Sequence, residues 1–220
     1  MRDKRKDLSY FNSYIEYQEC RIKKKTAKLA DNNGNSMKIE KINQSLLMYK
    51  SDMLYAQFSV GADKNELLLY LDDALQTASQ LNTIDYETLL NLLSIAVMLE
   101  AKNSCMEVIE KHKELVQKDK LLNALAKYIE SGRFVWMGKF LIGELYNILD
   151  NLVGEAEKES IMKIYLGNWY TAHKDFAWFD SHKNDKDTYV GYWSFESAAL
   201  VKIIGMDEIK IKDKEYYPLL

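Results

Sequence analysis

The sequence predicts an all-α fold, arranged as a two-part bundle of about eight to ten antiparallel helices. Its 220 residues include nine glycines and one proline, whereas sheet-rich folds need more of both for their turns. Apolar residues recur mostly at helical spacing, and the alternating pattern of half-buried strands is scarce. With 47% hydrophobic and 29% charged residues, a chain of this length can bury a substantial core and keep a polar surface.

The N-terminal half contains five predicted helices, marked by periodicity or by end signals. The first carries apolar residues at helical spacing and ends in the turn-rich stretch 31–35. Asp63 and Glu66 have the spacing of a capping box at the start of the third. The fourth is apolar nearly all round, which predicts a central position. The predicted helices are residues 7–31, 36–59 and 63–80, a fourth opened by Thr83, and a fifth over 104–118 capped by Ser104.

The C-terminal half combines further helices with many aromatic residues. Residues 165–195 contain ten aromatics in 31 positions, which predicts an aromatic core or, less favourably, an adhesive surface. The charged region 103–120 divides an N-terminal helical domain, 1–110, from a C-terminal helical domain, 111–220. The predicted helices here are residues 119–131, 134–150 and 155–170, and a last helix ending near Ile204.

Charge is unevenly distributed along the chain. The net charge is −3, which argues against direct nucleic-acid binding, because such proteins normally present a net basic face. Residues 63–100 carry seven acids against one lysine. This acidic stretch could face a basic partner, and we expect Asp72, Asp73, Asp85 and Glu87 to be the contact residues. Asp85 and Glu87 have an alternative explanation, since carboxylates at a helix start complement the helix dipole.

Other features of the sequence argue against a membrane or an oxidising compartment. The basic start is not followed by the apolar core of a signal peptide, and no apolar run is long enough to span a bilayer. Cys20 and Cys105 lie far apart and are interpreted as free thiols. The basic run 23–25 is interpreted as the solvated side of the first helix. Together these observations predict a cytoplasmic protein that contacts neither membrane nor nucleic acid.

Glu196 is the most informative single acidic residue. At helical spacing, Trp193, Leu200 and Ile204 share one face, with Glu196 along its edge. A carboxylate there must be hydrogen-bonded or change its protonation. It could be a general base with a raised pKa, or a structural group that accepts hydrogen bonds from loop amides, a tyrosine or His182. The structural interpretation is favoured, because no nucleophile or second acid lies nearby in sequence.

Two histidines and two aspartates lie close together before the last helix. His173, Asp175, Asp180 and His182 are residue types that bind transition metals. Their spacing matches no metal-binding motif with a known mechanism, and a polar loop explains them equally well. Phosphate-binding loops, nucleophile elbows and zinc motifs are absent from the sequence. We therefore expect no catalytic residue, no cofactor and no metal.

The C-terminal region resembles a known family. The motif Tyr-x-Gly-Tyr-Trp-Ser-Phe-Glu-x-Ala-Ala, over 189–199, precedes an apolar helix, a Gly-x-Asp turn and a Tyr-Tyr-Pro ending. This signature is similar to the C-terminal domain of the PoNi (polymorphic nuclease immunity) family. The N-terminal half fits that family only by length, position and its Tyr/Lys-rich opening helix. The matching residues are Trp169, His173, Tyr189, Gly191, Tyr192, Trp193, Glu196, Tyr216, Tyr217 and Pro218.

The resemblance implies an all-helical immunity protein. Such a protein binds a cognate DNA-degrading toxin and neutralises it by occluding its DNA-binding or active site, without catalysis. The aromatic signature is then architectural, and toxin recognition lies elsewhere on the surface. A helical adaptor that binds another protein or peptide is the alternative. A metal-dependent enzyme that uses Glu196 or the His/Asp group is a third.

Overall fold

The protein is described by a computed structural model over residues 1–31, 34–153 and 157–220. Within these ranges it contains ten α-helices and four short 3₁₀ helices and no β-strand, which confirms the all-α prediction. The 3₁₀ helices are Asn103–Cys105, Asn147–Val153, Ser181–Lys183 and Glu208–Lys210. The α-helices are α1 Leu8–Ala30, α2 Ser36–Val60, α3 Lys64–Ser79, α4 Tyr86–Leu99, α5 Met106–Lys111, α6 Lys113–Lys118, α7 Lys120–Ser131, α8 Gly143–Tyr146, α9 Lys158–Ala172 and α10 Phe195–Ile203.

The N-terminal helices begin and end at the signals in the sequence. Asp63 accepts hydrogen bonds from the amides of Asn65 and Glu66, and the Glu66 carboxylate accepts from the Asp63 amide, so the predicted capping box is confirmed. α2 ends at Gly61 with φ of 100°, a left-handed conformation that glycine adopts without strain. Asn32 and Asn33 of the predicted turn lie outside the described residues.

α4 is the central helix, as its composition predicts. Its ten buried residues run almost without a break from Leu89 to Leu99. It contacts α3 on one side and α7 and α10 on others, so it joins elements from both halves of the sequence. Buried apolar residues from α1 through the C-terminal segment form a single cluster. Since this single core includes residues on both sides of positions 110 and 111, it does not locate a domain boundary, and the predicted boundary there stays a prediction.

The fifth predicted helix, 104–118, is wrong as one continuous element. The chain breaks at His112, where φ is −109° and ψ is 25°, and α5 and α6 lie on either side. His112 at this break is buried, although Lys111 and Lys113 beside it favour a solvated face, and its Nε2 lies 3.0 Å from the carbonyl oxygen of Ala78. That carbonyl belongs to the last turn of α3 and also accepts a hydrogen bond from the Leu81 amide at 3.2 Å. The Ser104 cap is also wrong, since no side chain caps α5.

The predicted helix over 134–150 is largely wrong. Residues 133–142 are not helical, and only α8 and the following 3₁₀ helix occupy its second part. Long-range hydrogen bonds hold this loop: the Leu141 amide donates to the Asp119 carboxylate at 2.8 Å, and the Lys120 amide donates to the Lys139 carbonyl. Trp136 packs against Phe134 and Phe140. The next predicted helix began at residue 155, which lies outside the described residues.

No helix in the described ranges is both long and apolar enough to cross a bilayer.

Candidate functional site

The aromatic signature segment packs against the N-terminal half through a close backbone approach at Gly191. This residue has φ of 108°, and a Cβ added there would lie 2.2 Å from Ser59 Oγ and 2.3 Å from Trp193 Nε1. Ser59 Oγ donates to the Val190 carbonyl at 2.7 Å and accepts from the Trp193 indole at 2.8 Å. Glycine is therefore required here both by conformation and by space.

The start of the chain holds the same segment from the other side. The Tyr189 hydroxyl donates to the Asp3 carboxylate at 2.5 Å, and both side chains are almost fully buried. The Tyr10 hydroxyl donates to the Tyr189 carbonyl and accepts from the Tyr189 amide. The bond from Tyr189 to the Asp3 carboxylate is charge-assisted, and such hydrogen bonds are stronger than neutral ones. Residue 189 is thus fixed by residues more than 170 positions earlier.

Glu196 lies in the first turn of α10 and is 2% exposed. Its Oε1 accepts three hydrogen bonds, from the Tyr165 hydroxyl at 2.5 Å, the Trp169 indole at 2.7 Å and the Ser194 hydroxyl at 2.6 Å. A tyrosine was among the expected partners, whereas Trp169 and Ser194 were not foreseen. His182 does not reach this carboxylate; its Nδ1 is 2.9 Å from the Tyr192 hydroxyl. This geometry fits the structural interpretation of Glu196.

The histidines and aspartates before α10 are dispersed. His173 ends α9, where its Nδ1 donates to the Trp169 carbonyl at 2.6 Å. Asp180 accepts from the Tyr170 hydroxyl and pairs with Lys183. Asp175 is exposed. Among the residues that the structure describes, no three His, Cys, Asp or Glu side chains are placed to share a metal ion.

The Tyr-Tyr-Pro ending closes the aromatic cluster. The Tyr216 ring stacks on Tyr170, with centroids 5.3 Å apart and planes 8° apart. The Tyr216 carbonyl accepts from the Ser194 amide, which places this residue beside the Glu196 network. The Tyr217 hydroxyl donates to Glu208 at 2.8 Å, and Pro218 is buried. Most of the aromatic residues are therefore structural, as the favoured interpretation predicts.

A cavity of about 210 Å³ lies between α2, α4, α9 and the signature segment. Its walls combine three carboxylates with indole and phenol rings. Burial raises the pKa of Asp52 to about 6, although hydrogen bonds from Tyr14 and Gln18 and the charge of Arg21 oppose the shift. The principal lining residues are Asp52, Glu87, Glu196, Trp169, Trp178 and Tyr192.

Glu87 is a second carboxylate of this cavity whose pKa is raised by burial. Burial raises the pKa of Glu87 to about 7. The Trp178 indole, which donates a hydrogen bond to Glu87 Oε1, opposes this rise, whereas the negative charges of Asp85 and Glu196 add to the rise. Sequence reasoning singled out Glu87 for an exposed acidic stretch, not for a cavity. It missed Asp52, whose only local signal is its place on the same face of α2 as Met48 and Tyr55.

Two sequence models of one family match this chain. The PoNe immunity protein (PoNi) N-terminal region matches residues 2–111, and the PoNi C-terminal region matches residues 117–219. The chain belongs to the PoNe immunity protein (PoNi) family. Comparisons with curated proteins and with solved structures gave no match. The resemblance seen in the C-terminal signature is thereby confirmed, and it extends to the N-terminal half.

PoNi membership indicates an immunity protein against a polymorphic nuclease toxin. A nuclease must present basic groups to DNA, so the acidic residues of this PoNi protein are of interest. Asp72 is exposed and forms no ion pair within the described ranges, whereas Asp73 pairs with Lys50 at 2.7 Å. Asp85 caps α4 by accepting from the Thr88 amide. Most of the predicted contact residues therefore also serve the fold.

The four predicted contact residues do not line one depression of the PoNi surface. Asp73 lines a shallow depression with Lys50 and Tyr70, whereas Glu87 lines the cavity beside Trp178. The cavity itself contains one hydroxyl, Ser51 Oγ, that forms no hydrogen bond with any described residue. A hydroxyl needs an adjacent base to become a nucleophile, and Ser51 Oγ is not bonded to one.

Proposed function

We propose that this PoNi protein neutralises its cognate nuclease by stoichiometric binding, and that the bound protein denies DNA access to the nuclease active site. The observation that carries the proposal is the match of both halves of the chain to PoNi immunity proteins. Inhibition by occlusion needs a complementary surface and no turnover. The protein acts in the cytoplasm, where chromosomal DNA needs protection.

The acidic stretch over residues 63–100 supports the electrostatic side of this mechanism. Seven carboxylates lie there, and Asp72, Asp73 and Asp85 are exposed. A nuclease groove that binds a polyanion is attracted to such a surface, and electrostatic steering raises association rate constants to about 10⁸–10⁹ M⁻¹s⁻¹ at low salt. Fast association matters because a free nuclease damages the chromosome before slow binding can stop it.

Co-expression tests the proposal directly. A candidate cognate nuclease is expressed alone and together with the protein, and cell survival, chromosome integrity and the stoichiometry of the purified complex are measured. We expect survival, intact DNA and a complex of fixed stoichiometry. Cell death despite full expression, or a nuclease that still cleaves DNA in the purified complex, would refute inhibition by occlusion.

A further inference from the structure

The cavity at the junction of the two halves carries acceptor groups that the fold leaves unused. Glu196 uses Oε1 for all three of its hydrogen bonds, and Glu87 uses Oε1 for the Trp178 indole. Within the described ranges, the second oxygen of each carboxylate has no hydrogen-bond partner. Both residues line the cavity. Two carboxylate oxygens are thus available to a group that enters it.

Two buried polar side chains of the cavity are also incompletely satisfied. Ser51 is 4% exposed, and its Oγ has no partner among the described residues. His173 is likewise 4% exposed. Its Nδ1 donates to the Trp169 carbonyl at 2.6 Å, and no described residue forms a hydrogen bond with its Nε2. Since buried polar atoms are normally paired, the unpaired Ser51 Oγ beside this ring indicates a ligand that forms hydrogen bonds in the cavity.

The aromatic walls favour a cation as that ligand. The Trp169 and Trp178 rings stack with their centroids 5.3 Å apart, and the ring centroids of Trp178 and Tyr192 are 5.4 Å apart. Indole and phenol faces attract cations within about 6 Å of the ring centre. Among the described residues, no lysine or arginine lines the cavity, so its carboxylates lack a cation inside it. The chemistry of the walls is therefore that of an acidic aromatic socket.

The size of the cavity restricts the occupant to one side chain. Its volume of about 210 Å³ is below the range of about 300–1,000 Å³ that small-molecule sites occupy. A guanidinium group is planar, stacks on aromatic faces, forms paired hydrogen bonds with carboxylates and is more weakly hydrated than an ammonium group. These properties suit a narrow socket with aromatic walls. Nucleases also use arginine to contact phosphates, so the partner has such side chains to offer.

We propose that this cavity is a socket for one arginine side chain of the cognate nuclease, held between Trp178 and the carboxylates of Glu87 and Glu196. This proposal rests on the proposed function for the identity of the partner, but its chemistry can be tested without the toxin. A socketed arginine would also be removed from DNA binding, so one contact would both anchor the complex and disable the phosphate-binding surface. Buried arginines that fill a pocket are frequent hot spots of protein interfaces.

The first experiment uses a small probe and the four tryptophan indole N–H signals in NMR spectra. N-acetyl-arginine amide is titrated into the full-length protein, with the uncharged N-acetyl-citrulline amide as its matched control. Trp169, Trp178 and Trp193 line the cavity, whereas Trp136 does not and is the internal reference. We expect the Trp178 signal to move in a saturable manner with the arginine probe only. Equal shifts with the citrulline probe, or equal shifts at Trp136, would overturn the proposal.

Two cavity variants and one surface variant complete the test. Glu87→Gln keeps an acceptor for Trp178 and removes the charge; Asp52→Asn removes a second cavity charge and keeps an acceptor for Gln18. Glu107→Gln makes the same charge change on the exposed face of α5. We expect Glu87→Gln to weaken probe binding at least tenfold and Asp52→Asn to weaken it less. Glu107→Gln should leave probe binding unchanged. If neither cavity variant weakened probe binding, the socket would be contradicted.

The nuclease then separates this inference from the proposed function. Affinity of the complex is measured for the wild-type protein, Glu87→Gln and Glu107→Gln. We expect Glu87→Gln to lose about 30-fold or more, which is the lower end of losses at buried charge pairs, and Glu107→Gln to lose little. If Glu87→Gln binds the nuclease as tightly as the wild type does, the proposed immunity function stands and the socket is rejected. Absence of any complex with the wild-type protein rejects the proposed function, and the probe titration still decides the chemistry of the cavity.

Discussion

The buried carboxylate of Glu87 predicts a specific dependence of stability on pH. Burial raises the pKa of Glu87 from about 4.5 to about 7 in the folded protein. Between these two values the folded protein binds more protons at this site than the unfolded chain, so its contribution to stability falls as pH rises. At about 1.4 kcal/mol per pKa unit, the full penalty above pH 7 is about 3 kcal/mol, and it is absent below pH 4.5.

Replacing Glu87 by glutamine removes that penalty, while the amide oxygen still accepts from the Trp178 indole. We expect Glu87→Gln to be more stable than the wild type at pH 8, and the advantage to shrink by about 2 kcal/mol at pH 5. Urea unfolding at both pH values, followed by tryptophan fluorescence, measures this difference. With a denaturant slope of about 3 kcal/mol/M, the unfolding midpoints should separate by about 0.7 M more at pH 8 than at pH 5.

The exposed substitution Glu107→Gln is the control and should show no such pH-dependent difference, because its carboxylate is already solvated. Comparison of the variants cancels the titration of the groups that do not interact with Glu87. If the stability difference between the wild type and Glu87→Gln is the same at pH 5 and pH 8, Glu87 is not desolvated. The description of the cavity as an acidic, poorly hydrated socket would then be wrong.

Three further predictions follow from the contacts described above. Gly191→Ala should lower the free energy of unfolding by about 2–4 kcal/mol in thermal unfolding, because the new Cβ overlaps Ser59 and φ is positive. Gly205→Ala, where φ is positive but space is open, should lower it by only about 1–2 kcal/mol. Equal losses in the two variants would show that the close approach at Gly191 is relaxed. Tyr165→Phe should lower the free energy of unfolding by about 1–3 kcal/mol, because it removes a hydrogen-bond donor to the buried Glu196 carboxylate. An unchanged midpoint in urea unfolding would show that the Tyr165 hydroxyl does not stabilise this carboxylate. The double reversal Asp72→Lys and Asp73→Lys should slow association with the nuclease in stopped-flow measurements and flatten its salt dependence; an unchanged rate constant would move the contact surface off α3.

Local signals explain what the sequence predicted correctly. The capping box at Asp63 and Glu66, the end of α2 at Gly61 and the apolar surface of α4 are each determined within a few residues. A tyrosine was one of three kinds of partner expected for Glu196, on similar grounds. A carboxylate at the edge of an apolar helix face needs donors, and the neighbouring segment is rich in aromatic hydroxyl and indole groups.

Long-range contacts explain what the sequence did not reveal. The loop over 133–142 has a helix-like pattern, but Asp119 captures its Leu141 amide and its aromatic rings pack together. His112 is buried against the end of α3, where its ring contacts the carbonyl of Ala78, 34 positions earlier. The cavity could not be predicted at all, since Asp52, Glu87 and Glu196 come from three helices whose packing no local pattern encodes.

The bond between Asp3 and Tyr189 has a consequence for how the molecule is made. Its two residues are 186 positions apart, so a chain emerging from the ribosome cannot form it until residue 189 has been translated. Earlier intermediates leave a carboxylate without its phenol and the aromatic segment without its clasp. A chain that stops before residue 189 therefore lacks the fastening that joins its opening residues to the signature segment.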